Sequence, residues 1–88
     1  MEKKNVIGMI VPTVDNPFFA GLVCHAGIIL NDKGYGLLVC GSANSAEKEK
    51  ENFRMLLDRG AAGILCVSGL SELPSDLLPE SYPLLWVD

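Results

Sequence analysis

The sequence predicts an α/β fold, in which a parallel sheet built from βαβ units has helices on both faces. Three short apolar stretches, at residues 6–11, 35–40 and 63–67, lack the polar alternation of a half-exposed strand. Continuous apolar runs of this length are typical of strands buried on both sides. Segments with helix-start and helix-stop signals separate them, and this alternation favours parallel strands joined by right-handed crossovers.

The first strand is predicted at residues 6–11 and ends at Pro12. Asn16 followed by Pro17 predicts a helix start. An asparagine side chain caps exposed amides, and a proline at the first helical position loses no hydrogen bond. We therefore expect a helix over residues 17–32, ended by Lys33 and Gly34.

The second strand is predicted at residues 35–40, followed by a polar loop in which Asn44 or Ser45 caps the next helix. That helix runs to Arg59, and its charged run, residues 47–51, is expected to face solvent. The remaining predicted elements are a strand at 63–67, a loop with one helical turn at 70–81, and a strand at 84–87.

The composition is unusually apolar for a chain of 88 residues, with 49% hydrophobic and only 20% charged residues. A small domain has a large surface for its volume, and charged residues usually make up about 25% of a globular chain. The apolar excess predicts a partial domain, spanning 1–88, that packs against more protein. The formal net charge of −4 and the dispersed basic residues argue against direct DNA binding by this stretch.

The three cysteines, Cys24, Cys40 and Cys66, lie within apolar runs. Their odd number and wide spacing favour neither a disulfide framework nor a zinc site, so we expect buried, reduced thiols. The first apolar run is too short for a signal peptide or a membrane span. These features predict a cytoplasmic location and no membrane partner.

Polar and aromatic side chains follow the predicted strands. In a parallel sheet, ligands bind beyond the carboxyl ends of the strands. Carboxylates, amides and hydroxyls can hydrogen-bond a sugar or a similar small metabolite, and an aromatic ring can stack on it. The candidate effector-binding residues are Asp15, Asn16, Phe18, Phe19, Ser42, Ser68 and Asp88.

Purely structural roles are open at several of these positions. Asn16, and likewise Asn44 in the loop after the second strand, could have no role beyond capping a helix, and the two phenylalanines could have no role beyond anchoring the helix to the core. Adjacent helical residues point about 100° apart, so Phe18 and Phe19 cannot both face the core. We expect one of them to meet a ligand.

Catalytic residues are not expected. The single histidine, His25, adjoins Cys24 on a helix, where neighbouring side chains diverge. Residues 34–36 precede a strand, which is the wrong side for a dinucleotide-binding loop. We therefore predict no enzyme activity, no cofactor and no metal site.

Residues 7–19, with the sequence IGMIVPTVDNPFF, resemble the opening of the core domain in lactose-repressor (LacI/GalR) family regulators. In that family a strand ending in proline leads into an Asn-Pro-aromatic-Phe turn and a long helix. Four more segments resemble the family in the same order: KGYGLLVC at 33–40, AEKE at 46–49, GIL at 63–65 and PLLWVD at 83–88.

This resemblance implies the N-terminal lobe of a two-lobed, periplasmic-binding-protein-like core. Family members are dimeric repressors in which a small effector, often a sugar, binds between the lobes and alters the DNA affinity of a headpiece. By position, Phe18 and Phe19 match the effector-facing end of the first loop, Ser68 the loop after the third strand, and Asp88 an acidic position near the cleft.

The resemblance also implies a homodimer, because the first helix matches a surface that the family uses for dimerisation. The expected interface residues are Leu22, Val23, Ala26, Ile29 and Leu30. A helix that is apolar all round must be covered on the side that faces away from the sheet as well, which agrees with this assignment. The alternative interpretation is that the chain belongs to a sugar-binding protein of a transport system, because such proteins share the same fold.

Overall fold

The computed structural model describes residues 5–13, 15–67 and 81–87. Its elements in chain order are β1 (Val6–Val11), α1 (Pro17–Asp32), β2 (Gly36–Gly41), α2 (Ala46–Asp58), β3 (Gly63–Val67) and β4 (Leu84–Val87). Four of the six coincide with the sequence prediction. Strand β2 lies one residue later than expected, and α2 ends one residue before Arg59. The predicted helical turn within 70–81 lies almost entirely outside the described residues.

The four strands form one parallel sheet in the order β2-β1-β3-β4. Ile10 of β1 pairs with Cys40 of β2 and with Cys66 of β3, so these side chains share one row across the sheet. Because every strand runs in the same direction, all the carboxyl ends meet at one edge. The parallel fold predicted from the sequence is confirmed.

Helix α1 covers one face of the sheet. Its N-cap is Asn16, whose side chain accepts a hydrogen bond of 2.8 Å from the amide of Phe18. The helix ends at Asp32 with Lys33 as its C-cap, and Gly34 follows with a φ of +88°, which glycine adopts without steric cost. From this helix Phe19, Leu22, Val23 and Ala26 pack against buried residues of the sheet, namely Met9, Val11 and Val67.

Helix α2 covers the opposite face, where Phe53 and Leu56 are fully buried with Ile10, Ile64 and Cys66. The Ser45 hydroxyl caps this helix by accepting from the amide of Lys48. With one helix on each face, the sheet is doubly wound, and this arrangement matches the predicted architecture.

The charged run of α2 is not wholly solvated, contrary to the expectation from its sequence. Glu49 is only 4% exposed, and its carboxylate accepts a hydrogen bond from the Cys66 thiol, with 3.7 Å between Oε2 and Sγ. Glu49 lies four residues before Phe53 and seven before Leu56, and this spacing puts all three on the inner side of the helix. The helical period therefore overrides the local charge pattern.

The cysteines divide into two kinds. Cys40 and Cys66 are buried, as expected, whereas Cys24 is exposed on α1, so the prediction for Cys24 was wrong. Burial raises the pKa of the Cys40 thiol. Burial raises the pKa of the Cys66 thiol, because a thiolate is poorly stabilised away from water. The neighbouring Glu49 carboxylate raises it further by repelling a second negative charge, so that the pKa is about 12.

Gly8 provides the first test of this packing. A Cβ atom built at Gly8 would lie 2.5 Å from Cδ1 of the buried Leu56, whereas one at Gly21 meets nothing within 4 Å. We expect Gly8→Ala to lower the free energy of unfolding by roughly 1–3 kcal/mol through overpacking. The matched control Gly21→Ala should raise it by up to about 1 kcal/mol. Urea denaturation measures both, and a Gly8→Ala protein as stable as the wild type would contradict the packing.

The buried thiols predict a loss of stability at alkaline pH. The pKa of Cys66 is about 12 in the folded protein against 9.0 for an unperturbed thiol, so the unfolded chain loses this proton first as the pH rises. The stabilisation is complete below pH 9 and declines between pH 9 and about 12, by up to about 1.4 kcal/mol per pH unit.

Urea denaturation at several pH values measures how steeply the free energy of unfolding falls as the pH rises. Cys66→Ala should make this slope shallower, whereas Cys24→Ala, which alters an exposed thiol, should leave it unchanged. Equal slopes in the wild type and Cys66→Ala would refute the assignment.

Candidate functional site

The loops that follow β1 and β2 are joined directly at the carboxyl edge of the sheet. The amide of Ser42 donates to the carbonyl of Val11, and the amide of Ala43 donates to the carbonyl of Pro12, each at 2.9 Å. These bonds continue the strand pairing past the last residues of the strands. Residues 12–13, 15–16 and 42–45 therefore lie along one edge joined by backbone hydrogen bonds, which we call the carboxyl rim.

Two of the predicted effector-binding residues, Ser68 and Asp88, lie outside the described residues. They immediately follow Val67 of β3 and Val87 of β4, and these two strands end at the same edge as β1. The described part of the rim is thus the half contributed by β1 and β2.

The first loop holds Asp15 and Asn16, and both are exposed. The amide of Asp15 donates to the Thr13 hydroxyl oxygen at 3.2 Å. The Asn16 side-chain oxygen is engaged in capping α1. Asp15 consequently presents a carboxylate at the rim, whereas Asn16 has the structural role that the sequence left open.

The two phenylalanines have different environments. Phe19 is half-buried and packs on the sheet with Met9 and Val11, whereas Phe18 is 64% exposed. Their ring centroids are 5.2 Å apart, and the ring planes meet at 72° in an edge-to-face contact. Phe19 thereby supports Phe18, which presents its ring to solvent in the first turn of α1.

The second loop combines a buried hydroxyl with a tight turn. Ser42 is only 1% exposed, and its hydroxyl oxygen lies 3.5 Å from the Val11 carbonyl oxygen, to which it donates. Ala43 and Asn44 have positive φ angles of 53° and 58°. Asparagine tolerates this left-handed conformation, but for alanine it costs roughly 1–2 kcal/mol. The turn therefore holds backbone strain and leaves the Asn44 side chain exposed at the rim.

Helix α1 has an apolar face that nothing in the described chain covers. Of the five residues predicted at a dimer interface, Leu22, Val23 and Ala26 already pack on the sheet, and Leu30 is half-buried. Ile29 is 56% exposed, and the neighbouring Ile28, which is not among the predicted interface residues, is 59% exposed. Cys24 and Ile28 are spaced i, i+4 and therefore lie on the same side of the helix. This spacing was the sequence signal for an apolar surface that faces away from the sheet.

An apolar groove of about 540 Å³ lies beside the same helix, over the starts of β3 and β4. Its lining includes Ile29 and Leu30 of α1, Ile7 and Leu65 of the sheet, and Leu85 of β4. The groove is lined by apolar side chains and lies at the amino ends of the strands. It is therefore separate from the carboxyl rim and unsuited to a polar ligand.

The rim contains the groups that a small polar molecule requires. The Asp15 carboxylate and the Asn44 amide can hydrogen-bond hydroxyl groups, and the Phe18 ring offers a flat apolar surface. No group of three histidine, cysteine or acidic side chains able to hold a metal occurs in residues 5–13, 15–67 and 81–87. Neither helix among the described elements is long and apolar enough to cross a bilayer.

Comparison with known proteins identifies relatives among bacterial transcription regulators, although no family model matches the chain. The transcriptional regulator MalR of Streptomyces coelicolor is 37% identical over 69 residues, which are 78% of this chain and 20% of MalR.

Two solved structures share the fold. A candidate ribose operon repressor of Burkholderia thailandensis superimposes with a TM-score of 0.89 and 26% identity, over 96% of this chain and 33% of that one. A periplasmic binding protein/LacI transcriptional regulator from Alkaliphilus metalliredigens, solved with D-xylulofuranose, gives a TM-score of 0.81 and 28% identity, over 94% and 30% of the two chains. This chain thus spans about a fifth of the curated relative's length and about a third of each solved structure.

Proposed function

Because the chain corresponds in sequence and fold to the N-terminal part of the core of LacI-family transcription regulators, we propose that it is the effector-binding lobe of a repressor. A small effector, a sugar or a related metabolite, binds at the carboxyl rim. Binding changes the DNA affinity of a headpiece that lies outside this chain, and a second lobe completes the cleft.

One observation carries the proposal: the β1 and β2 loops are hydrogen-bonded into a single rim beside an exposed aromatic ring. At this rim Phe18 stacks on the apolar face of the sugar, while Asp15 accepts hydrogen bonds from its hydroxyl groups. Asn16 caps the helix that carries Phe18, Phe19 packs against the Phe18 ring, and Ser42 bonds the second loop to Val11. Ser68 and Asp88 complete the set from the ends of β3 and β4.

The ligand class is supported by the relatives. One structural neighbour was solved with D-xylulofuranose, and another is described as a ribose operon repressor. The exposed groups of the rim suit such ligands, because sugars combine hydroxyl groups with flat apolar faces. Pentoses are therefore the first ligands to test.

Regulation is favoured over transport, since MalR and the Burkholderia neighbour are named as transcription regulators. We propose a cytoplasmic protein without catalytic activity, cofactor or metal. The net charge of −4 agrees with DNA contact through the headpiece and not through this lobe.

We propose further that the protein forms a homodimer through α1. The exposed side chains of Ile28 and Ile29 give this helix an outward apolar face next to the groove. A second copy is the simplest cover for such a face, because a twofold axis pairs the same surface with itself.

Titration of the ¹⁵N-labelled chain with D-ribose and with D-xylulose tests the ligand site by NMR. We expect amide shifts at Thr13, Asp15, Asn16, Phe18 and residues 42–45, and none at Gly36 or Gly63, which begin their strands at the opposite edge. Affinity should be in the millimolar range, since one lobe offers a single wall. Phe18→Ala should weaken binding about 10-fold through the lost stacking contact.

The matched control is Leu85→Ala, which removes an equally exposed apolar side chain at the opposite edge and should leave affinity unchanged. The ligand site is wrong if the shifts cluster at the groove, or if both substitutions weaken binding equally.

Sedimentation equilibrium tests the dimer. Ile29→Glu places a charge in the centre of the proposed contact and should raise the dimer dissociation constant at least about 10-fold, because an unpaired buried charge costs more than 1.4 kcal/mol. Lys50→Glu, on the exposed side of α2, is the control and should leave it unchanged. A wild-type chain that stays monomeric at high concentration would exclude this interface.

A further inference from the structure

Helix α2 presents polar side chains to the sheet at the end nearest the rim. Glu49 and Asn52 lie three residues apart, so they follow one side of the helix. Glu49 is almost fully buried, and Asn52 is half-buried. Further along the same side, Phe53 and Leu56 form an ordinary apolar contact with the sheet. The first turns of α2 therefore differ in chemistry from the rest of its inner side.

These polar side chains contact the ends of two strands. The Asn52 side-chain amide donates to the carbonyl of Gly41, the last residue of β2, at 3.1 Å. The Glu49 carboxylate accepts from the thiol of Cys66, the next-to-last residue of β3. Strands β2 and β3 flank β1 on either side. Helix α2 is thus tied to the carboxyl ends of both neighbours of the central strand.

The turn that follows Gly41 is the strained one. Ala43 and Asn44 hold left-handed conformations, and such conformations persist only where surrounding contacts determine them. Ser42 bonds to Val11 on one side, and the amide of Ser45 donates to the Ser42 carbonyl on the other. The Asn52 contact fixes the residue just before the turn, so it completes the restraint from the helix side.

A buried carboxylate is also a costly choice for a packing position. Removing a charged group from water is unfavourable unless strong partners replace the lost hydration, and a thiol is a weak donor. An aliphatic side chain of similar size would fill the same space at lower cost. Packing alone therefore does not account for glutamate at position 49.

We infer that Glu49 and Asn52 are positioning residues of the effector site: through Cys66 and Gly41 they hold the ends of β3 and β2 where the rim loops begin. This inference rests on the effector-binding function proposed above. Neither residue touches the ligand. Asn52 orients the turn that presents Asn44, and Glu49 fixes Cys66 near the carboxyl end of β3.

Amide hydrogen exchange on the ligand-free chain tests the role of Asn52 without any assumption about the ligand. Asn52→Asp keeps the shape of the side chain but removes its N–H donors. We expect the amides of Ser42, Ala43 and Ser45 to exchange about 10-fold faster, which is the effect of losing one hydrogen bond that stabilises the turn. The exchange rate of the Ile10 amide in the core should not change. Asn52→Ala should act in the same way, and Lys50→Ala on the exposed side should have no effect.

Glu49 is tested by separating affinity from stability. Glu49→Leu should keep or raise the melting temperature, because it removes a buried charge, yet weaken D-ribose binding about 10-fold. Glu49→Gln, which retains an acceptor oxygen for the Cys66 thiol, should restore most of the affinity. A residue with a merely packing role would show no such difference between affinity and melting temperature.

The outcomes distinguish this inference from the proposed function. If the wild type binds neither D-ribose nor D-xylulose, the pentose assignment fails, and the exchange rates still decide the role of Asn52. Unchanged exchange at the turn in both Asn52 variants overturns the inference for Asn52. Unchanged affinity in a folded Glu49→Leu variant overturns it for Glu49.

Discussion

The structure depends on the removal of most of β1, from Gly8 to Val11, from water. Met9, Ile10 and Val11 are fully buried, and their side chains alternate between the two faces of the sheet. A strand in this position needs a helix on each side, and α1 and α2 supply one each. Gly8 lets Leu56 approach the strand backbone more closely than any side chain at that position would allow. Strands β2 and β3 pair with the two edges of β1 and so protect its backbone hydrogen bonds.

The same constraint creates the carboxyl rim. Parallel pairing around β1 brings the loop after β1 and the loop after β2 to one edge, where backbone hydrogen bonds join them. Phe18 then becomes exposed because Phe19, its neighbour in the first turn of α1, occupies the available place on the sheet. A core-packing requirement thus determines which aromatic ring is free for a ligand.

The two helices cover opposite faces of the sheet with different kinds of surface. Helix α2 has a polar outer side, and its inner side combines apolar packing with polar contacts to the strand ends. Helix α1 is apolar on both sides, so it leaves Ile28 and Ile29 exposed and borders an open groove over β3 and β4. The apolar excess in the composition is therefore concentrated on one face of the molecule, where more protein can cover it.

The sequence by itself determined the elements, because strands buried on both sides are continuous apolar runs and the helix ends have local signals such as Asn16-Pro17 and Lys33-Gly34. It also located Asp15 and Phe18 at the carboxyl edge, since strand direction follows from the βαβ order. Only the tertiary structure decided that Ser42 is buried, that Phe18 and not Phe19 faces solvent, that Cys24 is exposed, and that Glu49 enters the core. These outcomes depend on which side of a helix meets the sheet and on contacts between residues distant in the chain, such as Glu49 with Cys66, and a local pattern of residue types does not contain that information.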